Sequence, residues 1–317
     1  MRKKDSKNIV CRVTVLSNPF DYIQKYPERT QRLLGLTYQE WQQLSKMAII
    51  EYEKKQDVSK KIKVRINAPG GGRKPILTQE SEICLCLFYL RQMPTFEVLG
   101  IQFGLSKTEA NDTFHKWLLI LRKILPASLL EELENQPQNK QMLCELLKEI
   151  DLLVDSTEQA RERPKNYQKQ KKYYSRKKGF HTFKNSVISC AQGKDIIDVT
   201  VGARGPEADI NLFRQQQDKF TTSQKFVGDK AYVGASRTTT PTKKPKGKEL
   251  TPEQKEENKQ ISRRRIYIEH LIRRFKIFRI AADKFRLNPQ NYKTVILTIC
   301  GLVRLRLGTF SLTPKNS

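Results

Sequence analysis

The chain has 317 residues, and 60 Lys and Arg against 33 Asp and Glu leave a formal charge of +27. An excess this large is out of character for an enzyme of small neutral metabolites. It points to a polyanionic partner, because neutralising phosphates releases condensed counterions whatever the base sequence. Hydrophobic residues make up 38% of the chain, enough apolar surface for packed cores, which excludes a wholly disordered polymer. The length suits two domains at roughly 100–200 residues each.

Nucleic acid is the first partner predicted and an anionic membrane surface the second. The apolar run from Val295 to Val303 is broken by Arg304 and Arg306, short of the ~20 residues a membrane span needs. Met1 to Asp5 is charged with no apolar segment behind it, so no secretory signal is read and the expected location is the cytosol, at the nucleoid of a prokaryote. Six cysteines scattered at 11, 84, 86, 144, 190 and 300 predict reduced thiols. Cys84 and Cys86 would point to different faces of a helix, and no His or second Cys pair lies nearby, so core packing is expected and zinc is not.

Residues 1–66 read as an amphipathic helical region, with Leu33, Leu34, Leu36, Trp41, Leu44, Met47, Ile49 and Ile50 as its apolar positions. Ala68 to Pro75 is a breaker with three consecutive glycines, and it lacks the spacing of a phosphate-binding P-loop. A helix is predicted over 78–93, ended by Pro94, and a shorter one over 96–103 with Gly104 as its left-handed cap. Ser106-Lys107-Thr108-Glu109 is a capping box opening a third helix to about Ile124, with Ala110, Phe114, Trp117, Leu118 and Leu121 on its buried stripe. Two helices joined by a tight glycine turn form the helix-turn-helix arrangement, expected as a DNA-binding domain over 76–135. Lys107, Thr108, Asn111, Asp112 and His115 would face the DNA.

Polar residues 134–139 and a short helix from Met142 to Glu149 lead into a second composition, expected as a domain over 148–310. Ile150 to Asp155 is a buried-strand run ending in a carboxylate, with Ser156 and Thr157 as its turn. Arg161 to Lys178 then carries nine cations, including Arg163, Lys171, Lys172, Arg176, Lys177 and Lys178, against the single acid Glu162, with Tyr167, Tyr173 and Tyr174 interleaved. A run so nearly of one sign is expected to track a phosphate backbone. Strands follow over 181–190 and 195–202, then a helix opened by Pro206-Glu207 and a strand from Phe226 to Asp229. A basic insertion occupies about 236–260, and a long helix runs from about Ile261 to Arg279. Three strands, a helix, a strand and a helix is the order of the ribonuclease-H-like fold, so the expected class is α+β and multidomain: an all-α helix-turn-helix region followed by an α/β catalytic domain.

Asp155 and Asp229, ending neighbouring strands, and Glu269 on the late helix are hard oxygen donors suited to magnesium, and two such ions about 4 Å apart can activate a nucleophile and stabilise a leaving oxygen. Arg265, Glu269 and Lys276 share one helical face, while Ile268, Leu271, Phe275 and Phe278 form the adjoining stripe. A structural reading also makes Glu269 the ion-pair partner of Arg265, four residues before it.

Several motifs together resemble the DDE transposases of bacterial insertion sequences, most closely the insertion-sequence-five-like group. They are Gly72-Arg73-Lys74-Pro75 with Tyr89-Leu90-Arg91 and Pro94-Thr95-Phe96, Val154-Asp155-Ser156-Thr157, Tyr173 to Lys178 with His181-Thr182, Gly228-Asp229-Lys230-Ala231-Tyr232, and Arg265 with Glu269 and Lys276. The resemblance spans about 70–307 and implies a catalytic triad of Asp155, Asp229 and Glu269 holding two Mg2+ or Mn2+ ions. It also implies terminal inverted repeats and target DNA as partners, a homodimer or higher oligomer on DNA, and no organic cofactor or membrane. Ser262 stands where the family signature has Tyr. Asp209 is an acid that related transposases often carry, and it is read here as favoured by the positive end of a helix. A non-joining nuclease of the same fold and a DNA-binding regulator whose acids hold no metal are the rival readings.

The charge alone makes one prediction. DNA affinity should fall roughly a thousandfold or more between about 50 and 200 mM salt, read by fluorescence anisotropy; a flat profile contradicts the phosphate track.

Overall fold

The computed structural model describes residues 18–62 and 75–312. The breaker at 68–74, with the Gly72-Arg73-Lys74 part of the resemblance, lies outside these residues, as does Cys11.

Helix α1 (Pro19–Lys25) starts with proline in its first turn and with Asn18 accepting from the Phe20 and Asp21 amides. α2 (Thr30–Leu34) ends on Gly35 at φ +83, and α3 (Tyr38–Ile62) follows. α4 (Gln79–Gln92) is capped by Thr78 and stops at Met93, whose left-handed backbone precedes Pro94. It is buried from Ile83 to Leu90, with Cys84 and Cys86 both inaccessible and their thiol pKa values driven upward by burial. α5 (Phe96–Phe103) ends on left-handed Gly104, and α6 (Lys107–Ile124) opens with the reciprocal Ser106–Glu109 capping box. The five expected stripe residues of α6 are all buried, and Trp117 Nε1 donates to Glu82 Oε2 of α4 at 2.7 Å.

The helical region extends further than its sequence pattern. α7 (Leu129–Glu132) was not expected, and α8 (Pro137–Leu147) begins five residues before Met142. Proline at a first helical position has no amide to leave unpaired, so the polar stretch becomes the helix's opening turn.

Strands β1 (Leu152–Ala160), β2 (Tyr174–Ser175), β3 (Phe180–Ser189), β4 (Ile196–Arg204), β5 (Phe226–Val227) and β6 (Thr238–Thr239) make one sheet. Its order is β4-β3-β1-β5-β6, with β2 on the start of β3. β1, β3 and β4 are antiparallel neighbours, whereas β5 and β6 run parallel to β1. Helices α9 (Tyr167–Tyr173), α10 (Asp209–Gln217), α11 (Pro252–Lys276), α12 (Arg279–Ala282) and α13 (Tyr292–Leu307) complete the chain. This is an N-terminal helix-turn-helix region followed by a ribonuclease-H-like sheet.

Two boundaries differ from expectation in ways that touch the site. β1 continues through Ser156 and Thr157 to Ala160, pairing residue for residue with β3, so Asp155 sits within the strand and not at its end. The insertion at 236–260 also carries structure. Thr238–Thr239 adds a strand, and α11 starts at Pro252 behind a Thr251–Gln254 capping box.

The helical region and the sheet share a core. One buried cluster joins Trp41, Leu87 and Trp117 to Val187, Phe275 and Ile299. At its centre Arg304 of α13 is fully buried, donating to Asp195 Oδ1 at 2.7 Å, Glu132 Oε2 at 2.8 Å and the Pro126 carbonyl at 3.2 Å. Removing one member of a buried ion cluster strands the others without water. Arg304→Ala should therefore cost about 3 to 5 kcal/mol in urea unfolding; a loss below about 1 kcal/mol would show that the cluster is not the clamp between the two parts.

Candidate active site

β1 alternates between two faces. Leu153, Asp155, Thr157 and Gln159 face α11 and α12: Leu153 packs with Val227 and Ile268, and Gln159 Nε2 donates to the Ile280 carbonyl at 2.7 Å. Leu152 and Val154 face α10, clustering with Phe213 and Tyr232. The parallel ladder ends where Leu153 pairs with Val227; β5 stops there, short of the expected end at Asp229, which instead caps the turn that follows, two residues past the ladder as Asp155 is on β1. Ile268 docks α11 onto the same Leu153–Val227 floor, which places Glu269 beside them.

The charges follow from this packing. Asp155 is largely buried, and its Oδ1 accepts from the Ser156 amide at 2.8 Å. Arg265 spans the two acids on either side of it, with Nη2 3.4 Å from Asp155 Oδ2 and Nη1 3.6 Å from Glu269 Oε1. Burial pushes the Asp155 pKa up to about 6; Arg265 and the Ser156 amide oppose this, and the charges of Asp229 and Glu269 add to it. The three acids thus share one electrostatic neighbourhood. They do not form a closed shell: among the described residues no three His, Cys, Asp or Glu side chains are gathered to hold a metal ion. Asp229 is turned towards its own turn, accepting from the Ala231 amide at 2.8 Å.

Behind β1 lies a group that sequence reasoning missed. Lys184 of β3 is buried, 2.9 Å from Asp209 Oδ1 and 3.8 Å from Glu158 Oε1, and also donates to the Glu207 carbonyl. Ser156 Oγ donates to the same Asp209 oxygen at 2.6 Å. Asp209, the first residue of α10, therefore has a lysine as well as the helix dipole to satisfy its charge. The signal, had it been read, was a lysine inside a strand that the sheet buries on both sides, since such a residue needs a buried counter-charge. Tyr232 is buried on the same side, and its phenol pKa is driven well up by burial and then by Asp155, Asp209 and Asp229.

The expected DNA contacts divide by exposure. Lys107 and Thr108 are exposed at the start of α6 and Asn111 is half-buried, donating to Asp112 at 3.3 Å. His115 packs edge-on against Phe114, and burial lowers its pKa. Arg163, Lys171, Lys172, Arg176, Lys177, Lys178 and Lys276 are all exposed. Arg161 turns inward over the Tyr173 and Phe183 rings, and Arg265 is held by the carboxylates. Ser262 donates to the Asn258 carbonyl at 2.8 Å within its own helix.

Comparison with known proteins gives the family. The family described as DDE superfamily endonuclease matches residues 154–304, and the family described as helix-turn-helix of DDE superfamily endonuclease matches residues 76–127. A "Probable transposase for insertion sequence element IS702" from Microchaete diplosiphon is 34% identical over 240 residues, covering 74% of this chain and 83% of that protein. The chain belongs to the DDE transposases of insertion sequences. A structure titled "Crystal structure of a pre-cleavage Mos1 transpososome" aligns with 82% of this transposase and 87% of its own chain at 10% identity and a TM-score of 0.19, a level at which no argument rests on it. Membership makes the transposase a DNA-binding endonuclease that depends on divalent metal. No helix among its described residues is long and apolar enough to cross a membrane.

The raised Asp155 pKa has a consequence for stability. Between the ordinary carboxylate value of 3.8 and about 6 the folded state holds a proton the unfolded state has lost, so stability falls as pH rises through this window. Asp155→Asn should stabilise the metal-free protein at pH 8 by about 1 to 3 kcal/mol. The gain should vanish as the pH is lowered towards the ordinary carboxylate value. Thermal melts across this range check it, and a destabilised variant at pH 8 would contradict it.

Proposed function

We propose that the transposase binds the terminal inverted repeats of its own element, hydrolyses a phosphodiester at each end and joins the freed 3′-hydroxyl to target DNA. Asp155, Asp229 and Glu269 are the residues proposed to hold two Mg2+ or Mn2+ ions. The observation that carries this is a mostly buried carboxylate on the central strand that feels the charges of a second acid and a third, with an arginine as the local cation.

The donor set fits the metal: three hard carboxylates, one of them mostly buried, against the single positive charge of Arg265. When bound, the ions polarise the scissile phosphate and lower the pKa of the attacking water or hydroxyl. The chain's own part is placement. β1 holds Asp155, the turn after β5 holds Asp229, and the Ile268 contact sets α11 over the Leu153–Val227 pair between them. Arg265, once its carboxylates are engaged elsewhere, becomes available for phosphate, and the exposed Lys276 lies about three turns further along the same helical face. Lys171, Lys172 and Arg176–Lys178 offer cations to a DNA backbone, and Lys107, Thr108, Asn111 and His115 of α6 are placed to face bases or phosphates, so that attacking and leaving oxygens meet in line. We assign 76–135 to DNA recognition and 148–310 to catalysis, with the described part of the N-terminal region, 18–62, as helical support. Two ends cut in one event imply at least two copies on DNA.

Asp155→Asn, Asp229→Asn and Glu269→Gln should each reduce nicking of terminal-repeat DNA at least a hundredfold with Mg2+ or Mn2+, while binding stays within about twofold. Mn2+ should raise the melting temperature of the wild type and not of Asp155→Asn. Wild-type-like nicking by a variant overturns the site. Tight binding by a wild type that never nicks favours the regulator.

A further inference from the structure

The segment after β1 carries more than cations. α9, β2 and the start of β3 fold into an open hollow lined by Tyr167, Tyr174, His181, Arg163, Lys171 and Arg176. Its rings face water: Tyr167 is 64% exposed and Tyr174 43%. The neighbouring Tyr173 is different, packing edge-on against Phe183 and covered by Arg161 at 4.2 Å. The hollow is also held open by ordered contacts. Tyr174 pairs with His181 in the β2–β3 ladder, their rings meet edge to face at 5.4 Å, and Lys171 Nζ stands 4.9 Å over the Tyr167 ring. Partial burial, then Arg163 and Arg161, lower the His181 pKa, which leaves the ring uncharged at neutral pH.

A duplex backbone asks only for cations. Ring faces gain nothing from a duplex, because its bases already stack on one another. Exposed rings among cations suit a single strand instead, ring against base and cation against phosphate. We propose that this hollow binds an unpaired nucleotide of a single-stranded or frayed DNA segment, with Tyr167 and Tyr174 stacking on the base and Arg163, Lys171 and Arg176 holding the flanking phosphates. His181 lies about 20 Å along β3 from Val187, the partner of Asp155. The site is therefore separate from the carboxylate pocket, and the nucleotide it takes is not the one being cut. This proposal rests on the DNA-binding reading above.

The test is fluorescence anisotropy at fixed salt with two probes, a blunt duplex and the same duplex carrying a single-stranded oligothymidine tail of about ten nucleotides. The wild type should bind the tailed probe more tightly. Tyr167→Ala with Tyr174→Ala should lose affinity for the tailed probe by on the order of tenfold, with blunt-duplex affinity unchanged. Tyr167→Phe with Tyr174→Phe should keep the preference, since stacking needs the ring and not the hydroxyl. Both rings are exposed, and circular dichroism confirms that the variants fold. Equal wild-type affinity for the two probes overturns the proposal and leaves duplex binding standing. Equal losses on both probes, or a loss in the phenylalanine variant, also overturn it, because the tyrosines would then serve phosphate or duplex contacts. Failure of the wild type to bind either probe sinks the DNA-binding reading as well.

Discussion

Holding carboxylates together away from water is costly unless a cation sits among them, and the active site proposed for this transposase is organised around that constraint. Asp155 loses its water to the strand around it and to α11 above it. Asp229 and Glu269 add like charge, and Arg265 is the cation the chain supplies. A guanidinium at 3.4 and 3.6 Å shared between two acids compensates them loosely. Compensation of that kind can be exchanged for a tighter, doubly charged ion.

The acids on the other side of β1 are treated differently. Asp209 has Lys184 at 2.9 Å and Ser156 Oγ at 2.6 Å, and Glu158 shares the same lysine and accepts from Thr182 Oγ1 at 2.8 Å. Those charges are satisfied within the protein. One strand thus separates acids held by a buried lysine and hydroxyls from acids held by a loosely shared guanidinium, and Ser156 connects them, its hydroxyl serving Asp209 and its amide serving Asp155. The division explains why Asp209, an acid in a suggestive position, is a poor candidate for holding metal.

Much of this was legible in the sequence because local rules coincide with the fold. Ser106 and Glu109 form the capping box their spacing predicts, Gly104 is left-handed, α4 stops before Pro94, and the α6 stripe is buried as its period demands. The order of strands and helices carried the sheet topology. What was not legible depended on distant partners. Asp155 looked like a strand terminus because Ser156 and Thr157 are turn-prone by themselves, and only the β3 ladder keeps them extended. The start of α11 was hidden in a basic, proline-containing stretch whose capping box at Thr251 went unread. The Lys184–Asp209 pair joins residues from two elements, and no periodicity reports such a contact. The same holds for Arg304, which its sequence neighbourhood presents as an ordinary cation at the end of an apolar helix.

The shared core gives the recognition helices a fixed bearing on the sheet. Arg91 of α4 donates to the Ile277 carbonyl and Arg286 to that of Met93, so the helix-turn-helix and the α11–α13 segment are joined by side-chain-to-backbone hydrogen bonds as well as by apolar packing. DNA held by α6 would then meet the carboxylate pocket at a set distance. The most direct test of the central claim is anomalous diffraction from crystals soaked in Mn2+. A manganese peak bonded to carboxylate oxygens of both Asp155 and Asp229, with Glu269 turned to it and Arg265 displaced, is the result expected. Peaks only elsewhere, with Arg265 still seated between Asp155 and Glu269 at saturating Mn2+, would contradict it.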